Sequence, residues 1–229
     1  MRENKKYGQM RTDKIHLIIA VAAGMALAAC DAHIETPDKT VRPGHVLCDD
    51  GEARTYEQYK ASGRQAVAVV FDTGRHGETE GNGYAVYLWD IVPTAFADSL
   101  GVEQGTSADT EAYDGNMNTF ALYDTRETAA PMAEAVIDRW PYGQSAFIPS
   151  VAEMRLLYAA REVVNPVIEL CGGDPLPNPD TEDCWYWTST EVEGQQTAKA
   201  WLYSLGSGAM QETPKTQAHR VRPIITLNK

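Results

Sequence analysis

The side chains able to do chemistry are scattered along this chain, and their spacing decides what chemistry is open to them. Five histidines, His16, His33, His45, His76 and His219, stand far apart. None has a metal-ligand or triad partner at a recognisable interval. Gly143-Gln144-Ser145-Ala146-Phe147 lacks the glycine that a nucleophile elbow needs at its fifth place. Gly206-Ser207-Gly208 has the composition of a tight turn rather than of a phosphate-cradling loop. No Cys-x-x-Cys or His-x-x-x-His interval occurs, so neither a metal nor another cofactor is expected. With no catalytic constellation in view, the chemistry left is recognition by hydrogen-bonding groups and aromatic surfaces.

The densest set of polar oxygens lies between Gly172 and Asp183. Asp174, Asn178, Asp180, Glu182 and Asp183 are interleaved there with three prolines. The prolines restrict the backbone before a ligand arrives and so lower the ordering cost of binding. Asn178, Asp180 and Glu182 at the tip, with Trp185 just beyond as a stacking surface, are the expected ligand-binding residues. The spacing of the oxygens suits a solvated acidic loop better than a calcium cage, which takes six to eight of them. Trp201 and Tyr203 form a second aromatic candidate on one strand face, suited to sugar stacking or to core packing. Cys171 and Cys184 bracket the loop. A disulfide between them would close a 14-residue ring, worth ~3 kcal/mol through lost chain entropy. Cys48 competes as a partner for either.

These residues have to be delivered to an address and held by elements. The 229-residue chain carries a net charge of −12. Arg2, Lys5, Lys6, Arg11 and Lys14 make the start basic, and the apolar run Leu17 to Ala29 follows. At 13 residues the run is too short to span a bilayer, which takes ~20. It fits the core of a signal peptide. It ends Leu27-Ala28-Ala29-Cys30, which resembles a bacterial lipobox. That resemblance implies acylation of Cys30, a membrane anchor and an envelope address, periplasmic or surface-exposed. Residues 1–29 are thus expected to be a leader and 30–44 a tether, with the domain in 45–229. The first 29 residues hold five basic and two acidic side chains, so the remaining 200 hold 15 basic and 30 acidic ones, a net −15. Such a surface repels nucleic acid.

Within the domain, Ala66 to Phe71 and Tyr84 to Trp89 read as a strong antiparallel strand pair. Thr55 to Lys60 suits one helical turn, Thr94 to Gly101 a weak helix, and Ala129 to Trp140 an amphipathic helix. Ser150 followed by Glu153 makes a capping box. Asn165-Pro166 predicts a break and a restart at Val167 to Leu170. Cys184-Trp185-Tyr186-Trp187-Thr188-Ser189-Thr190 suits a strand, as do Thr197 to Leu205 and Ala218 to Leu227.

Three motifs in order, Pro149-Ser150-x-x-Glu153, Tyr186-Trp187-Thr188-Ser189-Thr190 and Arg220-Val221-Arg222-Pro223, resemble those of bacterial C-type-lectin-like domains. Such domains occur in Lcl C-terminal-like surface lipoproteins and in formylglycine-generating-enzyme-like proteins. The resemblance covers roughly Ala66 to Leu227. It implies an α+β fold of antiparallel strands with two or three packed helices and long loops. In it Ser150 and Glu153 cap a helix, Trp187 fills the core and Arg222 anchors the last strand. It also implies a non-enzymatic, adhesin-like binding role toward a glycan or protein ligand of the envelope or a host surface. The catalytic cysteine pair of the formylglycine-generating enzymes has no counterpart here. A degenerate enzyme of that type and a structural or tip subunit of a surface assembly are the alternatives.

Overall fold

The computed structural model describes residues 40–74, 76, 83–138, 146–178 and 184–227. Cys30, Asp180, Glu182 and Trp140 lie outside them. Among the described residues, four helices and eleven strands build an α+β fold. One sheet has the order β2 (Ala53–Arg54), β1 (Val46–Cys48), β3 (Ala66–Asp72), β4 (Tyr84–Tyr87), β11 (Ile224–Thr226), β6 (Ala146–Phe147). The other runs β5 (Ile91–Ala95), β10 (Ala218–Val221), β7 (Trp185–Glu191), β8 (Lys199–Ser204), β9 (Met210–Pro214). All pairings are antiparallel except β10 with β7, where Arg220 lies beside Tyr186. Among the described residues no helix is long and apolar enough to cross a membrane.

The continuous apolar run of β3 has a simple cause. Its two faces serve two different cores, so neither face can be polar. Ala68 and Val70 join a first core with Phe96, Leu122, Met132, Trp187 and Leu202. Val69 and Phe71 join a second with Val86, Phe147, Met154, Leu157, Tyr186 and Tyr203. β7 and β8 divide in the same way, with Trp187 and Leu202 on one side and Tyr186 and Tyr203 on the other. Helix α4 (Val151–Leu170) covers the second core with Val151, Met154, Leu157, Val164 and Ile168. Leu122 of α2 (Gly115–Asp124) and Met132, Ala133 and Val136 of α3 (Pro131–Ile137) close the first. The remaining helix, α1 (Tyr56–Ser62), buries no residue and stands on its Thr55–Gln58 capping box. Val41 already packs on the first core. The compact unit that holds both cores runs from Val41 to Lys229.

The hydroxyl run after Trp187 does more than continue a strand. The β7–β8 register slips between Trp187 and Glu191, and all three hydroxyl residues there are fully buried. Thr188 donates to the Trp201 carbonyl at 2.9 Å. Asn118 on α2 donates to the Ser189 hydroxyl at 3.4 Å. Thr190 accepts from the N–H of Val151 at 3.1 Å, satisfying an orphan donor at the start of α4. The bulge thus docks two helices onto the central strand.

Ser150 and Glu153 complete that helix start as a reciprocal cap. Ser150 N–H donates to Glu153 Oε2 at 2.7 Å, and Glu153 N–H to the Ser150 hydroxyl at 3.4 Å. Glu153 is fully buried. Only glycine fits at position 115, since a Cβ there would sit 2.2 Å from Glu153 Oε2. Burial, and more weakly the nearby Asp114 carboxyl, push the Glu153 carboxyl up to about 7, against the pull of the Ser150 N–H. The folded domain therefore holds this proton more tightly than the unfolded chain does. The associated stability is complete below the unfolded value of 4.5 and is lost as pH rises through 7. Over that window it amounts to roughly 3 kcal/mol. Glu153→Gln keeps an acceptor for Ser150 and removes the titration. Urea midpoints measured between about pH 5 and 8 should therefore fall in the wild type and stay flatter in the variant. Parallel slopes would exclude Glu153 as the source.

Several expected elements change. Helix α4 runs unbroken through Pro166, because Asn165 does not act as a cap. Its side chain instead clamps the following loop, donating to the Leu176 carbonyl at 2.9 Å and accepting from Leu176 N–H at 2.8 Å. The expected weak helix from Thr94 is instead the end of strand β5 and a bend. The expected last strand is two strands in different sheets, parted at Arg222-Pro223. Pro223 has no N–H to offer a ladder, while its carbonyl accepts from Tyr87 N–H at 3.0 Å. Arg222 fills the crossing. It is fully buried, donates to the carbonyls of Tyr87 at 2.9 Å and Asp174 at 2.6 Å, and pairs with Asp90 at 2.6 Å.

The Cys171–Cys184 bridge is not formed. Cys48, Cys171 and Cys184 are free thiols. Cys184 directly precedes β7 and accepts from the Ser204 hydroxyl at 3.1 Å. Cys171 ends α4, where burial first and then the neighbouring Cys48 push its thiol up to about 11. The two cysteines answer to different neighbours.

Candidate ligand-binding groove

Trp201 and Glu212 lie directly across from each other on β8 and β9, so they share one sheet face. They form the floor of an open groove of about 540 Å³. Asp109 and Thr110 make one wall, and Glu193 and Gln196 from the β7–β8 turn make the other. Each part is fixed by local structure. Trp201 is half-buried, with its inner side on the second core and its carbonyl held by Thr188. Asp109 accepts from Glu111 N–H at 2.9 Å, a turn that holds its carboxylate in place. Arg155 on α4 ties this wall down by donating to the Thr110 carbonyl at 3.2 Å and pairing with Glu111 at 2.5 Å. The opposite turn closes through Gln195 N–H to the Val192 carbonyl at 2.9 Å.

The groove is acidic. Asp109, Glu193 and Glu212 line it, and Lys199 is the cation beside them, 3.0 Å from Glu212. Bonds from Lys199 and then Gln195 hold the Glu212 carboxyl below its usual range, so it is an ionised acceptor near neutrality. An aromatic platform beside fixed acceptors suits a neutral, hydroxyl-rich ligand and repels phosphate. A second depression of about 430 Å³ between Tyr123, Arg126 and Glu134 lies along two short helices and their link, without a strand to stiffen its floor.

Of the residues expected from sequence, Asp180 and Glu182 lie outside the described residues, and Asn178 and Trp185 do not line this groove. Asn178 is exposed, and its carbonyl lies 3.3 Å from where a Cβ on Gly206 would be. Trp185 is half-buried, pairs with Ser204 across the ladder and packs on the first core. Trp201 packs on the second, so the two tryptophans occupy opposite sheet faces. Tyr203 is 3% exposed and belongs to the core. Of the aromatic candidates, only Trp201 lines the groove. Asp109, Glu193 and Glu212 were missed because they come from three distant segments. The available signal was Glu212 itself, an acidic residue in a stretch that β9 pairs with the Trp201 strand. Among the described residues no three metal-binding side chains gather. The chain matches no family model and no curated protein.

Proposed function

We propose that this is a lipid-anchored protein of the bacterial cell envelope whose C-type-lectin-like domain binds a glycan in the Trp201 groove without transforming it. The observation that carries the binding role is the pairing of Trp201 with Glu212 on adjacent strands. A ring held by the core offers its free surface for stacking on a sugar, and ionised carboxylates around it accept from sugar hydroxyls. Because the floor is a sheet, little is left to order on binding. The C-type-lectin-like assignment draws support from the order of its three motifs and from the work they do here. The first caps α4, the second forms the bulged central strand, and the third carries the chain from one sheet to the other. Cys30 supplies the anchor, its acyl chains each contributing ~0.8 kcal/mol per buried methylene.

One experiment with two arms tests this. The whole chain should partition with membranes and its Cys30→Ala variant should not. The same domain, as residues 31–229, should pick out neutral glycans from an array. Membrane retention of the variant would overturn the anchor. An empty array would overturn the glycan reading.

A further inference from the structure

Lys215 opens the turn after β9, and its side chain runs inward. It is fully buried, while Glu191 is 1% and Gln104 2% exposed. Its Nζ lies against Glu191 Oε1, 3.2 Å from Gln104 Oε1 and 3.4 Å from the Val102 carbonyl. The Phe96 ring centroid is 5.1 Å away. The main-chain N–H of Gln104 donates to the same Glu191 oxygen at 3.3 Å. Gln104 Nε2 is buried with no hydrogen-bond partner among the described residues.

A buried ion pair is a poor source of stability, and an unpartnered buried amide nitrogen is a cost. Together they bring an amine, a carboxamide and a carboxylate into one apolar enclosure. An amine attacks a carboxamide carbon only when unprotonated. Burial pushes the Lys215 ammonium down, with Glu191 pulling the other way. The Gln104 nitrogen has no hydrogen bond among the described residues to give up before it leaves.

We propose that Lys215 and Gln104 become joined by an intramolecular isopeptide bond, with Glu191 carrying the proton. One proton first passes from the Lys215 ammonium to Glu191, leaving an amine and a carboxylic acid. Nζ then attacks Gln104 Cδ. As the Nζ–Cδ bond forms, Nζ gives up one of its two remaining hydrogens, and Glu191 relays a proton to Nε2. The Cδ–Nε2 bond breaks and ammonia leaves. No electron changes hands and no oxidant is needed. The products are a neutral amide and a neutral carboxylic acid, so the reaction discharges the buried pair and removes its desolvation cost. The bond ties the turn after an edge strand to the loop before α2. It is independent of what the Trp201 groove binds.

Peptide mapping of the folded, full-length protein tests it. The expected product is one branched tryptic peptide carrying Gln104 and Lys215, about 17 Da lighter than the two linear peptides together. No cleavage should occur after Lys215. Lys215→Arg keeps the charge but lacks the nucleophile, and Glu191→Gln keeps the shape but lacks the proton carrier. Both should yield only linear peptides. Linear peptides with normal cleavage after Lys215 in the wild type would overturn the proposal, whether or not the variants fold. So would a branched peptide joining Gln104 to a different lysine.

Discussion

Arg222→Ala should lower the stability of the domain by about 3–5 kcal/mol, the cost of stripping one partner from a buried ion pair. Arg222 is fully buried, and its guanidinium serves three groups at once. Its loss removes a donor from the carbonyls of Tyr87 and Asp174 and leaves Asp90 without its main cation. Burial already pushes the Asp90 carboxyl up, with Arg222 opposing it. Without Arg222 that carboxyl should rise further, so the variant loses least in acid, where Asp90 is protonated. Tyr186, whose hydroxyl donates to Asp90 at 2.9 Å, softens the loss without cancelling it. Lysine should rescue only part, because a single ammonium cannot fork to two carbonyls and a carboxylate. Urea unfolding measures both. A loss for Arg222→Ala below about 1 kcal/mol, the size of an ordinary surface change, would show that the sheet crossing does not depend on it.

Trp187→Ala should cost a similar ~3–5 kcal/mol, for a different reason. Trp187 is fully buried, edge-on to Phe96 at 5.5 Å and to His219 at 5.4 Å. Its Nε1–H donates to the Thr94 carbonyl at 3.0 Å. Truncation opens a cavity between β5, β7 and β10, and rigid strands cannot collapse into it. Phenylalanine refills most of that space but leaves the carbonyl unpaired, at roughly 1–3 kcal/mol. The ratio of the two losses separates packing from hydrogen bonding. Equal urea midpoints for the wild type and the alanine variant would place the ring in solvent.

What the sequence disclosed follows the range of the interaction. The Ser150–Glu153 cap spans one helical turn, and strands β3, β4, β7 and β8 declare themselves by their own composition. Elements whose identity depends on a distant partner stayed hidden. Strand β9 is Met-Gln-Glu-Thr-Pro, polar because it lies at a sheet edge. Strand β5 carries Pro93, tolerable only on an edge. Nothing local says that the chain changes sheets at Arg222-Pro223. The groove was half legible. Trp201 was visible as a strand aromatic suited to sugar stacking or to core packing, but the carboxylates beside it come from two loops and an edge strand that the fold brings together. The loop tip expected from sequence, whose Asp180 and Glu182 lie outside the described residues, is where polar groups are dense along the chain, whereas the groove is where they converge in space.

The most direct test of the binding role is a calorimetric titration of the best array glycan into wild type, Trp201→Ala, Glu212→Gln and the triple variant Asn178→Ala, Asp180→Ala, Glu182→Ala. Loss of the stacking surface should weaken binding on the order of 10-fold, about 1.4 kcal/mol. Glu212→Gln should weaken it less, because the amide keeps one acceptor oxygen. The triple variant should bind like the wild type. Unchanged affinity in Trp201→Ala, with binding abolished in the triple variant, would contradict the groove and move the site to the loop between α4 and β7.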